Sequence, residues 1–229
     1  MPLFLLLLFF CATLSAQTPS SPPTLPPAAQ AHLPKGWKLL ELVSADLNSD
    51  GRADLVFVRE EQDPKKVKRD RDISPDVQNY NPRVLTVLIA EPAGYRKIVE
   101  CEKLIPPAFD LEFSAFDDRF DGISAEKGVL TVKFRYWASG GYPWISLDGY
   151  KFRLEAGRLR LIGREADSFH RATGNKNLTS INHLTGKMKL TSGLNEFNED
   201  ESKPVVTWKT LPSRKPIYIE DLPPCALEQ

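Results

Sequence analysis

The sequence predicts a mainly β domain built as antiparallel hairpins in a meander, partly propeller-like or sandwich-like and short of a full propeller. Three observations carry this expectation. Apolar and polar residues alternate with period two in segment after segment, Gly- and Pro-bearing turns separate those segments at short intervals, and no window has the apolar spacing of a long amphipathic helix. With 41% hydrophobic and 26% charged residues over 229 positions, the chain can bury one sizeable core.

Residues 1–16, MPLFLLLLFFCATLSA, carry an apolar run followed by small and polar residues and read as a secretory signal peptide cleaved near Ala16. The run is too short for a transmembrane helix, which needs roughly 20 apolar residues, so no membrane span is expected after cleavage. Phe9 and Phe10 precede Cys11 where a lipobox places small residues, which disfavours a lipid anchor. Residues 17–35 are rich in proline and poor in packable side chains, the composition of a disordered linker. The remainder, 36–229, reads as a single domain of an exported protein, periplasmic or secreted.

Within that domain, WKLLELV and DLVFVRE flank an acidic loop, and VLTVLIAE and YRKIVE flank the turn residues Pro92, Ala93 and Gly94. Between the two pairs, residues 59–82 carry dense charge of both signs and read as a long solvated loop. GVLTVKFRYW sets Leu130, Val132, Phe134 and Tyr136 on one face and Thr131, Lys133 and Arg135 on the other. YKFRLEAGRLRLIG is a hairpin turning at Glu155, Ala156 and Gly157. RATGNKNLTS and HLTGKMKLTS repeat Thr-Gly and Leu-Thr-Ser twelve residues apart, which predicts strand, turn, strand, turn with left-handed glycines at Gly174 and Gly186.

The acidic loop DLNSDGRAD is the segment whose chemistry is most specific. Hard divalent cations take six to eight oxygens, and a loop offering them at positions 1, 3, 5, 7 and 9 with Gly at 6 can wrap around Ca²⁺. Asp46, Asn48 and Asp50 fill 1, 3 and 5, Gly51 gives the turn, Arg52 offers its carbonyl, and Asp54 fills 9. Position 12 is Phe57 where a helix-flanked EF-hand has a bidentate Glu, so a strand-loop-strand setting is expected.

ADLNSDGRADLVFV resembles the calcium loop of FG-GAP or VCBS repeats, found in integrin α-chain propellers and many exported bacterial proteins. The resemblance covers about 22 residues and implies calcium held by Asp46, Asn48, Asp50, the Arg52 carbonyl and Asp54. The run from Leu147 to Lys187 is similar to the C-terminal half of small exported bacterial proteins that carry one such loop. True propellers repeat the loop, whereas FDDRFDGISA keeps only Asp117, Asp121 and Gly122 of it, with Arg119 and Ala125 at positions 3 and 9.

After signal cleavage Cys101 and Cys225 remain, and two cysteines in an exported chain read as one disulfide. Thirty basic against thirty acidic residues leave no net field for nucleic acid. Nucleotide loops and serine elbows are absent from the sequence, and His170 and His183 lack metal-site spacing and flank turns. Catalytic residues are therefore not assigned. In YWASGGYPWISL, Trp137, Tyr142 and Trp144 bracket turn residues, and two readings stay open for them: rings that seal the end of the β core, or rings presented to a glycan face or a protein partner. The expectation is a calcium-binding, non-enzymatic interaction or envelope-associated module with an unidentified protein or glycan partner. The alternative is an exported hydrolase of cell-wall or polysaccharide material with calcium as a structural ion.

Overall fold

Two antiparallel sheets facing one another explain why the alternating segments bury one face. The structure, a computed structural model, describes residues 23–74, 76–138, 140–212 and 215–222. β1 (Trp37–Ala45) and β2 (Asp54–Glu61) form the first hairpin, and a short ribbon of β3 (Val67–Lys68) and β4 (Gln78–Asn79) follows. β5 (Arg83–Glu91) and β6 (Gly94–Cys101) form the second hairpin and complete a four-stranded sheet in the order β1-β2-β5-β6. The rest of the chain is a meander of β7 (Phe120–Glu126), β8 (Val129–Tyr136), β9 (Trp144–Glu155), β10 (Arg158–His170), β11 (Asn175–Asn182), β12 (Lys187–Asn195) and β13 (Val205–Thr210). These seven strands pair in sequence order in one open sheet. Among the described residues no helix is long and apolar enough to cross a membrane.

The main core lies between the sheets. Val56 and Val58 of β2, Leu85 and Val87 of β5 and Val99 of β6 meet Leu130, Val132 and Phe134 of β8, Phe152 of β9, and Leu159 and Leu161 of β10. Each such side chain, fully removed from water, contributes about 1.5–3 kcal/mol. The face of β8 expected from its alternation is the one that is buried, with Tyr136 half-buried at its end. Gly174 and Gly186 take the left-handed values φ 72° and 66° expected of their turns.

A second, smaller core covers the opposite face of the four-stranded sheet, and here the expectation for residues 17–35 is corrected. Pro27–His32 forms a 3₁₀ helix, with proline at its start fixing a helical φ. Leu25 and Ala29 are buried against Leu39, Leu55, Phe57 and Leu88. The linker composition hid two apolar side chains that together with the sheet have a place to go. Because both of its faces are covered, β2 is buried from Asp54 to Glu60.

The charged loop expected over 59–82 is also corrected. β2 runs through Glu61, and the following segment is ordered around Gln78, whose fully buried side-chain amide donates to the carbonyls of Asp70, Ser74 and Asp76 and accepts from the Asp70 amide. Satisfying both ends of one amide makes burial of a polar residue tolerable. Residues 1–22, with the expected signal peptide and the start of the linker, lie outside the described residues.

FDDRFDGISA, read as a decayed loop, instead enters β7. Gly122 lies in the bulge between Phe120 and Ile123 at φ 104°, and the Glu41 carboxylate of β1 accepts the Ile123 amide at 3.1 Å. Glu41 thus joins the edges of the two sheets. Asp118 accepts two hydrogen bonds from Arg83, at 2.7 and 2.6 Å, and Asp110 one from Arg119 at 2.6 Å.

Candidate functional site

The acidic loop is the β1–β2 connection, flanked by strands on both sides. Asp46 is its organiser. Its Oδ1 accepts the amides of Ser49 at 2.7 Å and Asp50 at 3.2 Å, and its Oδ2 accepts the Gly51 amide at 2.8 Å. Ser49 and Gly51 supply the left-handed turns, at φ 63° and 82°. Asn48 Oδ1 accepts the Asp50 amide at 3.1 Å, and Asn48 Nδ2 donates to Asp50 Oδ2 at 3.0 Å. Asp50 Oδ1 accepts the Arg52 amide at 2.9 Å, and its Oδ2 is ion-paired with the Arg52 guanidinium at 2.7 Å. The Arg52 amide first, then the Asn48 amide group and the Arg52 side chain, hold the Asp50 carboxyl below its ordinary range.

Asp54 behaves differently. It is fully buried, its Oδ2 accepting the Leu47 amide at 2.9 Å and its Oδ1 the Ala90 amide at 2.8 Å. It therefore stitches the loop to β5. Arg52, whose Nε donates to the Ala90 carbonyl at 3.2 Å, spends its charge on Asp50 instead. Among the described residues no cationic side chain stands within ion-pair distance of Asp54, and burying a carboxylate on neutral donors alone is costly.

The loop thus draws Asp46, Asn48 and Asp50 into one hydrogen-bonded turn and holds Asp54 at its foot. Among the described residues no three acidic, His or Cys side chains converge as a ready metal-binding group. The donors present are nevertheless the right chemistry for calcium, since all are oxygen and two carboxylates lie in the turn. Among the described residues, Asp46 Oδ2, Asp50 Oδ1 and both Asp54 oxygens accept a single hydrogen bond each, which leaves every one of them a lone pair.

The three aromatic residues lie at one end of the large sheet but do not form a single platform. Tyr142 is exposed and meets Phe116 edge-on at 5.4 Å, and Phe116 meets Tyr136 at 6.0 Å. Trp144 is half-buried, edge-on to His170 at 5.3 Å across the β9–β10 ladder. Trp137 is half-buried with the Arg171 guanidinium over its ring at 5.9 Å. The described ring pairs connect these residues to other partners rather than to each other.

Cys101 is buried at the end of β6, its Sγ donating to the Ile219 carbonyl at 3.6 Å. Cys225 lies outside the described residues. His170 shares its Nδ1 with the Thr173 hydroxyl at 3.2 Å, a turn contact.

Sequence reasoning missed two features. One is a pair of buried arginines in the small sheet: Arg59 bonds Thr86, the His32 carbonyl and Glu100, while Arg83 bonds Glu60 at 2.9 Å as well as Asp118. Their partners stand 23 to 41 residues away, and no local pattern announces them. The other is an open groove of about 620 Å³ on the outward face of the large sheet. Gly149 lines its floor, and Lys133, Lys151, Glu165, Asp167 and Lys189 line its walls. Glu165 is tied to Lys151 at 2.8 Å and Asp167 to Lys176 at 3.0 Å. The alternation of these strands could have disclosed a charged outward face, though not its concavity.

No family model, no curated protein and no solved structure matches the chain. The functional reading rests on its own residues.

Proposed function

We propose that this protein is an exported calcium-binding β domain acting as a non-enzymatic interaction module, with calcium held by Asp46, Asn48, Asp50, the Arg52 carbonyl and Asp54. The observation that carries the reading is Asp54, a fully buried carboxylate satisfied by two backbone amides and, among the described residues, by no counter-charge, at the foot of a loop that gathers two further carboxylates. A divalent cation supplies the missing positive charge and locks the β1–β2 turn onto β5. Its role is structural, because the loop is a hairpin connection none of whose residues lines the groove. Two of the groove's acids, Glu165 and Asp167, are engaged by lysines of the same sheet face, which favours binding over proton transfer.

Calorimetric titration of chelator-treated protein tests the site. One calcium per chain is expected, with binding abolished in Asp50→Ala; absence of heat in the wild type rejects the assignment.

Export brings a second element of the proposal, a disulfide between Cys101 and Cys225. It is supported by Cys101 packing on Ile219, six residues before Cys225, so that the chain needs only a short return. Closing a loop of more than 100 residues stabilises by about 5 kcal/mol in the chain-entropy model. Peptide mapping of non-reduced protein from an oxidising compartment is expected to give one linked pair, and two free thiols contradict it.

A further inference from the structure

The strongest unexplained feature is the free edge of the large sheet. β13 is exposed at all six positions, with Val205 59%, Val206 48% and Trp208 64% accessible. It pairs with β12 without a bulge, from Val205 on Ser192 to Thr210 on Lys187. Beyond that ladder, no hydrogen bond among the described residues engages Val205–Thr210. Exposed edges are normally blunted by bulges, prolines, inward charges or covering segments. The opposite edge, β7, has such protection: the Gly122 bulge and the Glu41 carboxylate on the Ile123 amide. β13 has one charge, Lys209, and its prolines, Pro204 and Pro212, flank the strand rather than interrupt it.

We propose that β13 pairs with β13 of a second copy of this chain, giving a two-fold dimer in which the two large sheets become one. A two-fold axis normal to the sheet sets residues of the same face opposite each other, so the allowed registers centre on a residue. Centring on Thr207 places Trp208 opposite Val206 of the second copy and Val206 opposite its Trp208. Thr207 meets Thr207, and Lys209 meets Val205. Aromatic on β-branched and Thr on Thr are favourable cross-strand pairs, and no like charges meet. Trp208 and Val206 also share the face of Leu178 and the partly exposed Leu147, by the ladder pairs Val206–Thr191, Thr191–Leu178 and Leu178–Asp167–Leu147. Val206 thus ends a row in which Thr191 and Asp167 separate the apolar Leu178 and Leu147, and pairing sets Trp208 of the second copy next in that row.

Self-pairing uses the same edge on both copies, so the assembly closes at two. Head-to-tail growth requires the β7 edge, which the bulge and Glu41 obstruct. One strand pair makes a small interface, and the affinity expected is micromolar.

Sedimentation of the full chain without its signal, from about 1 µM to about 1 mM, reads the association directly. The expected result is a monomer–dimer equilibrium that Val206→Lys with Trp208→Lys weakens at least tenfold while the melting temperature stays that of the wild type. Thr207→Cys tests the register: oxidation is expected to link the two copies through the thiols introduced at position 207, and mapping distinguishes that peptide from linkages of Cys101 and Cys225. A wild type that remains monomeric at the highest concentration, an unaffected dimer in the double variant, or open-ended oligomers overturns the proposal.

Discussion

The large sheet has two halves of the same secondary structure and opposite fates. β8, β9 and the first half of β10 alternate strictly and bury Leu130, Val132, Phe134, Phe152, Leu159 and Leu161 against the small sheet. β12 alternates in the same way, with Met188 and Leu190 set between lysines and Thr191, yet the main core contains no residue of β11, β12 or β13. Alternation tells which residues share a face, and only the presence of a second layer decides whether that face leaves water. In this chain the second layer is four strands wide, and the meander outruns it.

The comparison is broken or sharpened most strongly by truncating one large ring in each half. Phe134→Ala in the sandwiched half is expected to cost about 3–5 kcal/mol, whereas Trp208→Ala at the free edge should stay within about 0.5 kcal/mol. Chemical denaturation at low protein concentration, where the edge is unpaired, measures both. Equal losses would mean that β13 is covered by something other than solvent.

Trp144 tests the boundary between the halves. Half-buried and edge-on to His170, it is expected to cost less than a fully buried ring, below about 3 kcal/mol on truncation to Ala. A larger loss moves this ring into the core and removes it from any binding surface.

A smaller effect comes from acid. Hydrogen bonds from Lys97, then Arg59, hold Glu100 below its ordinary value of 4.5, and Arg153, then Arg160, do the same for Glu155. Asp50 is held below 3.8 by the Arg52 amide first. Because the folded values are the lower ones, these groups contribute stability fully above the unfolded values and lose it as pH falls through the folded ones. Unfolding free energy is therefore expected to be flat from pH 7 toward pH 5 and to decline below about 4.5. All three reach solvent, so about 0.5 M salt should flatten part of that decline. A decline beginning above about pH 6 would point to groups other than these carboxylates.

The strand pattern was legible because period-two alternation and left-handed glycines are local signals. β7 was not, since its Gly122 bulge breaks the alternation and its acids resemble a loop, while their partners, Arg83 for Asp118 and Glu41 for the Ile123 amide, lie 35 and 82 residues away. Leu25 and Ala29 were illegible for the same reason: two apolar residues among prolines make no pattern until a sheet face is there to receive them. For the candidate site, the order of oxygen donors from Asp46 to Asp54 was plain in the sequence. That Asp54 is buried and tied to β5 through Ala90 was not, because the second contact crosses 36 residues.

That burial also gives the central claim its most direct measurement, the melting temperature of wild type and Asp50→Ala across free calcium concentration. On the proposal, calcium is expected to stabilise the wild type by about 1.4 kcal/mol at ten times the dissociation constant and about 2.7 kcal/mol at one hundred times. The account predicts a wild-type melting temperature that climbs steadily with the logarithm of calcium, and an Asp50→Ala variant whose melting temperature stays flat. A wild type insensitive to calcium, or a variant that climbs equally, contradicts it.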